Sequence, residues 1–433
     1  MKLKLYFVLA AGFASWLPAA IVGTNQPSQA VTPERLAALP KNEQPAWKEY
    51  LARSERQLQV DQTFFHLEMK QQGVKETVMP PAGRSGSKLP LNKPAAWYGE
   101  AEAQRIADIV VSFQTPAGGW SKSVDMTDHR RAPGARFARQ NTAKFLGTFD
   151  NDVPRDVNWN YVGTFDNSAT TTQLRYLAKV SAALGPERSA AYRAAFLRGL
   201  DYIFAAQYPN GGWPQVWPLQ GGYHDALTYN DDALINVLQL LSDVSAGTNE
   251  FAFVPNAGRQ NADASIKRGL NCILASQIVH DGSRTAWCQQ HDALTLQPTS
   301  ARNYEMPSLC SSESAKVAMF LMREPNPTPA TVTAVRAAMT WLERTRLKDV
   351  AFQKVGDQGR LLVPATGAEP LWARYYEIGT DRPIFGDRDK TIHDDVSDLS
   401  QERRNGYGWY TTTPGRALEQ YARWPERTNA VVK

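Results

Sequence analysis

Between residues 106 and 287 the apolar positions recur with helical spacing and break three times at the same kind of turn. IADIVVSFQTPAGGW (Ile106–Trp120) and LDYIFAAQYPNGGW (Leu200–Trp213) each run from an apolar-periodic helix through a glutamine into Gly-Gly-Trp. LNCILASQIVHDGSRTAW (Leu270–Trp287) is a degenerate third copy. A further helix-patterned stretch follows each one: SATTTQLRYLAKVSAAL, DDALINVLQLLSDV and SSESAKVAMFLMREP. Strand-like alternation is scarce. Pairs of helices joined by Gly-rich turns, repeated three or more times, predict an all-α fold. The expected form is an (α/α) toroid or incomplete barrel of repeated helical hairpins with long cleft-forming loops. Loops at one end of the inner helices would then gather around a central cleft.

The flanks read differently. Residues 1–30 have the pattern of an export signal: Lys2 and Lys4, then the apolar run LYFVLAAGFASWL, then small residues with candidate cuts after Ala20 or Ala30. The run is too short to span a membrane comfortably, so the expectation is a secreted or periplasmic protein without a membrane partner. Residues 31–96 are expected to be an N-terminal helical extension and a Pro/Gly-rich linker, KETVMPPAGRSGSKLPLNKPA. The main domain is placed at 97–433. Without Lys2 and Lys4 the formal charge falls from +5 to +3, which permits an acidic polymer as partner without demanding one. A monomer with no nucleic-acid partner is expected. Cys272, Cys288 and Cys310 leave room for one disulfide in an exported chain, with the pairing open, and their spacing suggests no zinc site.

Two acid-amide clusters open helix-patterned runs, TFDNSATTTQL from Thr164 and YNDDALINVL from Tyr229. Taken singly, Asp166, Asn167, Asp231 and Asp232 read as helix N-caps. Taken as a pair on equivalent repeats, they read as oxygen ligands converging on a hard cation, and calcium accepts such irregular sets. Two polar loops stand out besides. QPTSARNYEMPSL holds Arg302, Asn303, Tyr304 and Glu305; WARYYEIGTDRPIFGDRDK holds Arg374, Arg382 and Arg388 among aromatic residues. Either is a solvated loop tied by surface ion pairs, or a surface where guanidinium forks and rings hold an anionic sugar. His224, His291 and His393 form no metal-ligand pair and are read as structural.

Taken together, GGWSK, TFDNSATTTQLRYL, QYPNGGWPQVWP, YNDDA, WCQQHDALTLQPTSARNYEMPSL and WARYYEIGTDRPIFGDRD resemble a pectate lyase of polysaccharide lyase family 10, from about Trp97 to Trp424. The resemblance implies calcium-dependent β-elimination on polygalacturonate, giving 4,5-unsaturated oligogalacturonides, with 97–433 as the catalytic domain. It implies Arg302 as catalytic base, Asp166, Asp231 and Asp232 as the calcium-site acids, and Lys122, Asn167, Tyr304, Arg374 and Arg388 on the substrate. The family shows Trp-Pro-Lys-Asn where this chain has Trp120-Ser121-Lys122-Ser123. An arginine base needs neighbours that disfavour its charged form, so calcium, lysine and arginine beside Arg302 are expected, with activity rising into the alkaline range. Two other enzyme readings are open. Helix–Gln–Gly-x-Trp and the string DDVSD (394–398) also fit a triterpene cyclase, and the acids would serve a glycoside hydrolase. A non-catalytic pectin-binding protein is the third alternative.

Overall fold

The computed structural model, which describes residues 21–83, 88–139 and 161–424, lays two rows of helices side by side. The expected export signal falls outside the described residues as far as residue 20, as do 84–87 of the linker and 425–433 of the main domain. Helices α1 (Pro33–Ala37) and α2 (Gln44–Gln71) precede the rows. One row holds α3 (Ala101–Ser112), α5 (Ala190–Ala206), α7 (Asn256–Ser276) and α9 (Pro329–Arg344). The other holds α4 (Thr171–Arg188), α6 (Ala233–Ala246), α8 (Ser311–Leu321) and, after the short α10 (Gln401–Gly406), α11 (Thr413–Ala422). Each α4, α6 and α8 packs on the helix that follows it and on its neighbour in the row. The arrangement is an all-α, incomplete (α/α) toroid, and the strands between helices are short.

Its repeat has a physical basis in the glutamines. Gln114 Nε2 donates to the carbonyls of Gly118 and Ala195, both at 2.8 Å. Gln207 does the same to Gly211 and Ser265 at 2.9 Å, and Gln277 to Thr285 and Ala334 at 3.0 and 2.9 Å. Each amide therefore closes its own turn and pins it to the next helix of the row. The tryptophans tie the turn back to the helix it leaves. The indole N–H of Trp120 donates to Val110 O, that of Trp213 to Ile203 O and that of Trp287 to Ile273 O. Trp372 repeats the bond to Leu342 O at 2.7 Å, a fourth copy whose turn has lost the Gly-Gly signature. These donors are buried, so an unmade bond would cost about 1–3 kcal/mol each.

Glycine is required within these turns. Gly211 has φ +97°, and a Cβ there would lie 2.1 Å from the Arg268 carbonyl oxygen. Gly211→Ala is expected to destabilise the protein by more than about 2 kcal/mol, read as a lowered midpoint in thermal or urea unfolding. An unchanged midpoint would mean that the turn relaxes freely.

The N-terminal segment packs on the toroid. The Tyr50 hydroxyl of α2 donates to Ala206 O at 3.0 Å, and the rings of Trp47 and Tyr50 lie against Tyr208. Asp61, fully buried on α2, accepts a hydrogen bond from Gln57 at 2.7 Å, and burial pushes its carboxyl up to about 7. The folded state thus holds this proton more tightly than the unfolded chain, whose carboxylate titrates near 4. The group's contribution is fully present below about pH 4 and is lost at up to about 1.4 kcal/mol per pH unit as pH rises to about 7. Asp61→Asn is therefore expected to raise the melting temperature at pH 8 and leave it unchanged at pH 4. Equal shifts at both pH values would refute this.

Cys272, Cys288 and Cys310 are buried free thiols, so the possible disulfide is not formed among them. His291 is held by the Cys288 N–H at 3.0 Å and by Leu296 O at 2.9 Å, with burial pushing it down to about 4. In the DDVSD string, Asp394 pairs with Arg382 and Asp395 accepts from Ser397 N, so local ties account for these two acids. No helix of the described residues is long and apolar enough to cross a membrane.

Candidate active site

The main-chain carbonyls of Trp120, Trp213 and Trp287 accept the amides of Thr164, Thr228 and Cys310. The chain thus arrives at one edge of the toroid three times in the same register. Three residues beyond each anchored amide stand Asn167, Asp231 and Glu313. By this register Asp231 is the counterpart of Asn167, and Asp166 that of Asn230. The backbone agrees: Asn167 and Ser168 have φ of 52° and 60°, Asp231 and Asp232 of 49° and 61°. Left-handed non-glycine residues cost on the order of 1–3 kcal/mol each, and such strain concentrates at functional sites. Capping does not account for the acids. Asp166 lies in a short 3-10 turn ahead of α4, and neither Thr170 nor Asp232, at the helix boundaries, makes a side-chain cap bond.

Instead the two acids meet. The Asp231 carboxyl lies within hydrogen-bonding reach of Asp166, and Lys122 Nζ donates to Asp166 Oδ2. Burial and then the Asp166 charge push Asp231 up to about 7. Burial works against the Asp166 carboxylate too, but Lys122 and the neighbouring donors hold it below its ordinary range. Two carboxyls this close share a proton unless a cation replaces it. Asp166 Oδ1 is buried without a hydrogen-bond partner, and an all-oxygen pair of this kind fits a hard divalent cation. Asp232 points elsewhere. Its Oδ2 accepts from Lys316 Nζ at 2.7 Å, and burial raises its carboxyl. No cluster of three metal-binding side chains is found among the described residues.

From Asp231 the network continues. Asn230 Nδ2 donates to Asp231 Oδ2 at 3.2 Å, while Arg374 Nη2 donates to Asn230 Oδ1 at 3.1 Å and to Glu313 Oε1 at 2.6 Å. The guanidinium of Arg374 lies 5.0 Å from the Tyr407 ring centroid, and that of Arg302 lies 5.7 Å from it. Tyr407 donates to Glu305 Oε1 at 2.6 Å. Arg302 forms a fork with the same carboxylate, Nε to Oε2 at 2.9 Å and Nη2 to Oε1 at 2.5 Å. Two of the arginines expected beside Arg302 are present, Arg388 and Arg403 sharing the Tyr304 ring with it, but its pKa is raised rather than lowered. Burial alone would lower it, but the buried Glu305 carboxylate holds Arg302 well above the ordinary arginine value. Glu305 itself, despite burial, is held down at about 2 by Arg302. The Arg302 side chain keeps 38% of its surface exposed.

Tyr304 is only 3% exposed and lies beneath the guanidiniums of Arg302, Arg388 and Arg403, with centroid distances of 4.9, 5.7 and 4.4 Å. It serves as a platform for charge. Arg388 forks onto Glu402 at 2.9 and 3.0 Å. Asn167 is half-buried in its left-handed turn. Despite the Ser-Lys-Ser departure, Lys122 reaches Asp166, because Ser121 ties the loop to Val162 O at 2.9 Å and Ser123 turns it with φ 60°. Glu313, Lys316 and Tyr407 join the network without belonging to either of the acid-amide clusters or polar loops that the sequence singles out. Glu313 was findable from the repeat register; Tyr407 leaves no signal in the sequence.

The sequence matches the family described as pectic acid lyase over residues 153–418. Among solved structures, a family 10 polysaccharide lyase from Cellvibrio cellulosa is 31% identical, with a TM-score of 0.64. An aspartate-to-alanine variant of such a lyase from the same organism, in complex with trigalacturonic acid, is 30% identical with the same TM-score. Each alignment covers 78% of this chain and 99% of the other. No curated protein sequence matches.

Proposed function

The chain belongs to the pectate lyases of polysaccharide lyase family 10, and from that footing we propose that it cleaves α-1,4-linked polygalacturonate by calcium-assisted β-elimination with Arg302 as base. One observation carries the reading: Arg302, Arg374 and the Asp166–Asp231 pair, drawn from four separate loops, belong to one connected network. The trigalacturonic acid bound by the Cellvibrio relative supports the same substrate class here.

In this reading Arg302 removes the C5 proton of a galacturonate, the C5–H electrons form the C4–C5 double bond, and the C4–O bond breaks. The leaving oxygen takes a proton from solvent, and the new non-reducing end is a 4,5-unsaturated uronate. Arg374 pairs with the substrate carboxylate and offsets the charge that develops on it. Asp166 and Asp231 would hold calcium, which supplies Lewis-acid neutralisation of that carboxylate. Lys122 keeps Asp166 ionised and aimed at the site. Glu305 fixes the plane of Arg302 through two bonds, so the base is oriented at the expense of being held protonated.

A hydrolase reading fits less well. Paired glycosidase carboxyls stand about 5–9.5 Å apart, whereas Asp166 and Asp231 are within hydrogen-bonding reach. Export to the periplasm or beyond, where the polymer is met, and action as a monomer complete the proposal.

The test is ultraviolet absorbance of polygalacturonate incubated with the purified enzyme at alkaline pH. A rise with calcium that chelator abolishes is the expected result. Reducing ends appearing without an absorbance rise would indicate hydrolysis, and neither signal would indicate a binder.

A further inference from the structure

Three chain segments meet behind the Arg302 turn. The strand Ile21–Thr24 pairs antiparallel with Thr391–His393, which pairs in turn with Phe385–Gly386. A Cβ on Gly386 would stand 2.5 Å from the Tyr304 carbonyl oxygen, so this small sheet lies directly under the turn. Asn25 follows the strand and is 3% exposed. Its side-chain amide faces three carbonyls of the turn at once: Asn303 at 2.9 Å, Arg302 at 3.1 Å and Glu305 at 3.3 Å. Its backbone N–H donates to Lys390 O at 2.8 Å, on the loop that carries Arg388. The neighbouring Gln26 carbonyl accepts from Ser300. Asn25 thus gathers the turns carrying Arg302 and Arg388, and these bonds reach only main-chain atoms.

We propose that Asn25 is a positioning residue for the Arg302 turn, and that residues 21–26 are retained in the mature enzyme, export processing falling after Ala20 rather than after Ala30. The proposal rests on the reading of Arg302 as base. Ile21, at the outer end of the strand, is 62% exposed, so a chain terminus there meets solvent. A cut after Ala30 would remove the strand, Asn25 and Gln26 together, leaving the carbonyls of Arg302, Asn303 and Glu305 without this donor. A displacement of about 1 Å at a reacting group is enough to lower turnover on the order of a hundredfold.

The experiment has two parts. In the chain beginning at Ile21, Asn25→Ala is expected to lower kcat on the order of tenfold to a hundredfold with KM changed less than about twofold. The same change made on top of Arg302→Lys should cost little further, because both act on one group. A merely structural role would instead lower the melting temperature and leave kcat per folded molecule unchanged. Should Asn25→Ala fail to fold, Asn25→Ser, uncharged and with a shorter side chain that can donate to at most one of the three carbonyls, gives the same readout. Wild-type kcat in Asn25→Ala beside a crippled Arg302→Lys overturns the positioning role and leaves the base standing. Full turnover in Arg302→Lys overturns the base itself. Second, the intact mass of exported enzyme, made with its own leader, should show a chain beginning at Ile21. A start at Val31 overturns retention.

Discussion

Arg302→Lys is expected to lower kcat by about 10²–10⁴-fold, the range typical for a general base, with KM within about a factor of two of the parent. Lysine keeps a positive charge near the Tyr304 and Tyr407 rings but cannot reproduce the fork onto Glu305. The nitrogen that meets the C5 proton would lose its orientation, while the carboxylate-binding Arg374 stays in place. The pH dependence follows from the same fork. Glu305 raises the Arg302 pKa, so the neutral guanidine is a minor species throughout the working range and its share rises about tenfold per pH unit. Turnover in the parent should therefore climb with pH into the alkaline range until another group titrates or the fold gives way. Glu305→Gln weakens that hold and should shift the climb to lower pH. Saturating kinetics from pH 6 to 10 would check this. A maximum in mildly acidic solution, or unchanged turnover in Arg302→Lys, would remove Arg302 from the role.

Changing Asp166 should be as severe. Asp166→Ala is expected to cost on the order of 10³-fold in kcat/KM and to abolish the response to calcium, so that chelator has no further effect on the variant. The carboxylate lost is the one whose Oδ1 is buried without a hydrogen-bond partner and whose Oδ2 anchors Lys122. Asp231→Asn separates ligation from stability. In the calcium-free protein burial and the Asp166 charge push Asp231 up to about 7, so its neutral form is favoured relative to an ordinary carboxylate, and asparagine imitates that form. Its melting temperature without calcium should equal or exceed the parent's, while the rise that calcium gives the parent disappears. A variant that kept the parent's calcium response, in rate or in melting temperature, would rule the pair out as the cation's seat.

The repeating architecture was legible in the chain because it is built from local, periodic requirements. Apolar spacing marks the helices, glutamine closes two carbonyls, glycine admits the turn and tryptophan ties it back. Each of these leaves a residue type at a fixed place. The fourth copy escaped because Trp372 keeps the indole bond to Leu342 without the glycines. Acids and arginines of the site were legible as residue types at helix starts and in aromatic loops. That they belong to one site came from the family resemblance.

Partnership was not legible, because it depends on which way a side chain leaves a left-handed turn. Asp231 and Asp232 are adjacent, yet one meets Asp166 and the other Lys316. Arg302 was expected to stand among cations and is clamped by a glutamate three residues on. Asn25 reaches the same turn across 277 residues of chain. The sequence by itself determined the helical repeat, the edge at which the loops collect, and the kinds of charge placed there, since period and composition survive in one dimension. Only the tertiary structure decided which charges neutralise each other, because electrostatic energy falls off with distance in space and is blind to separation along the chain.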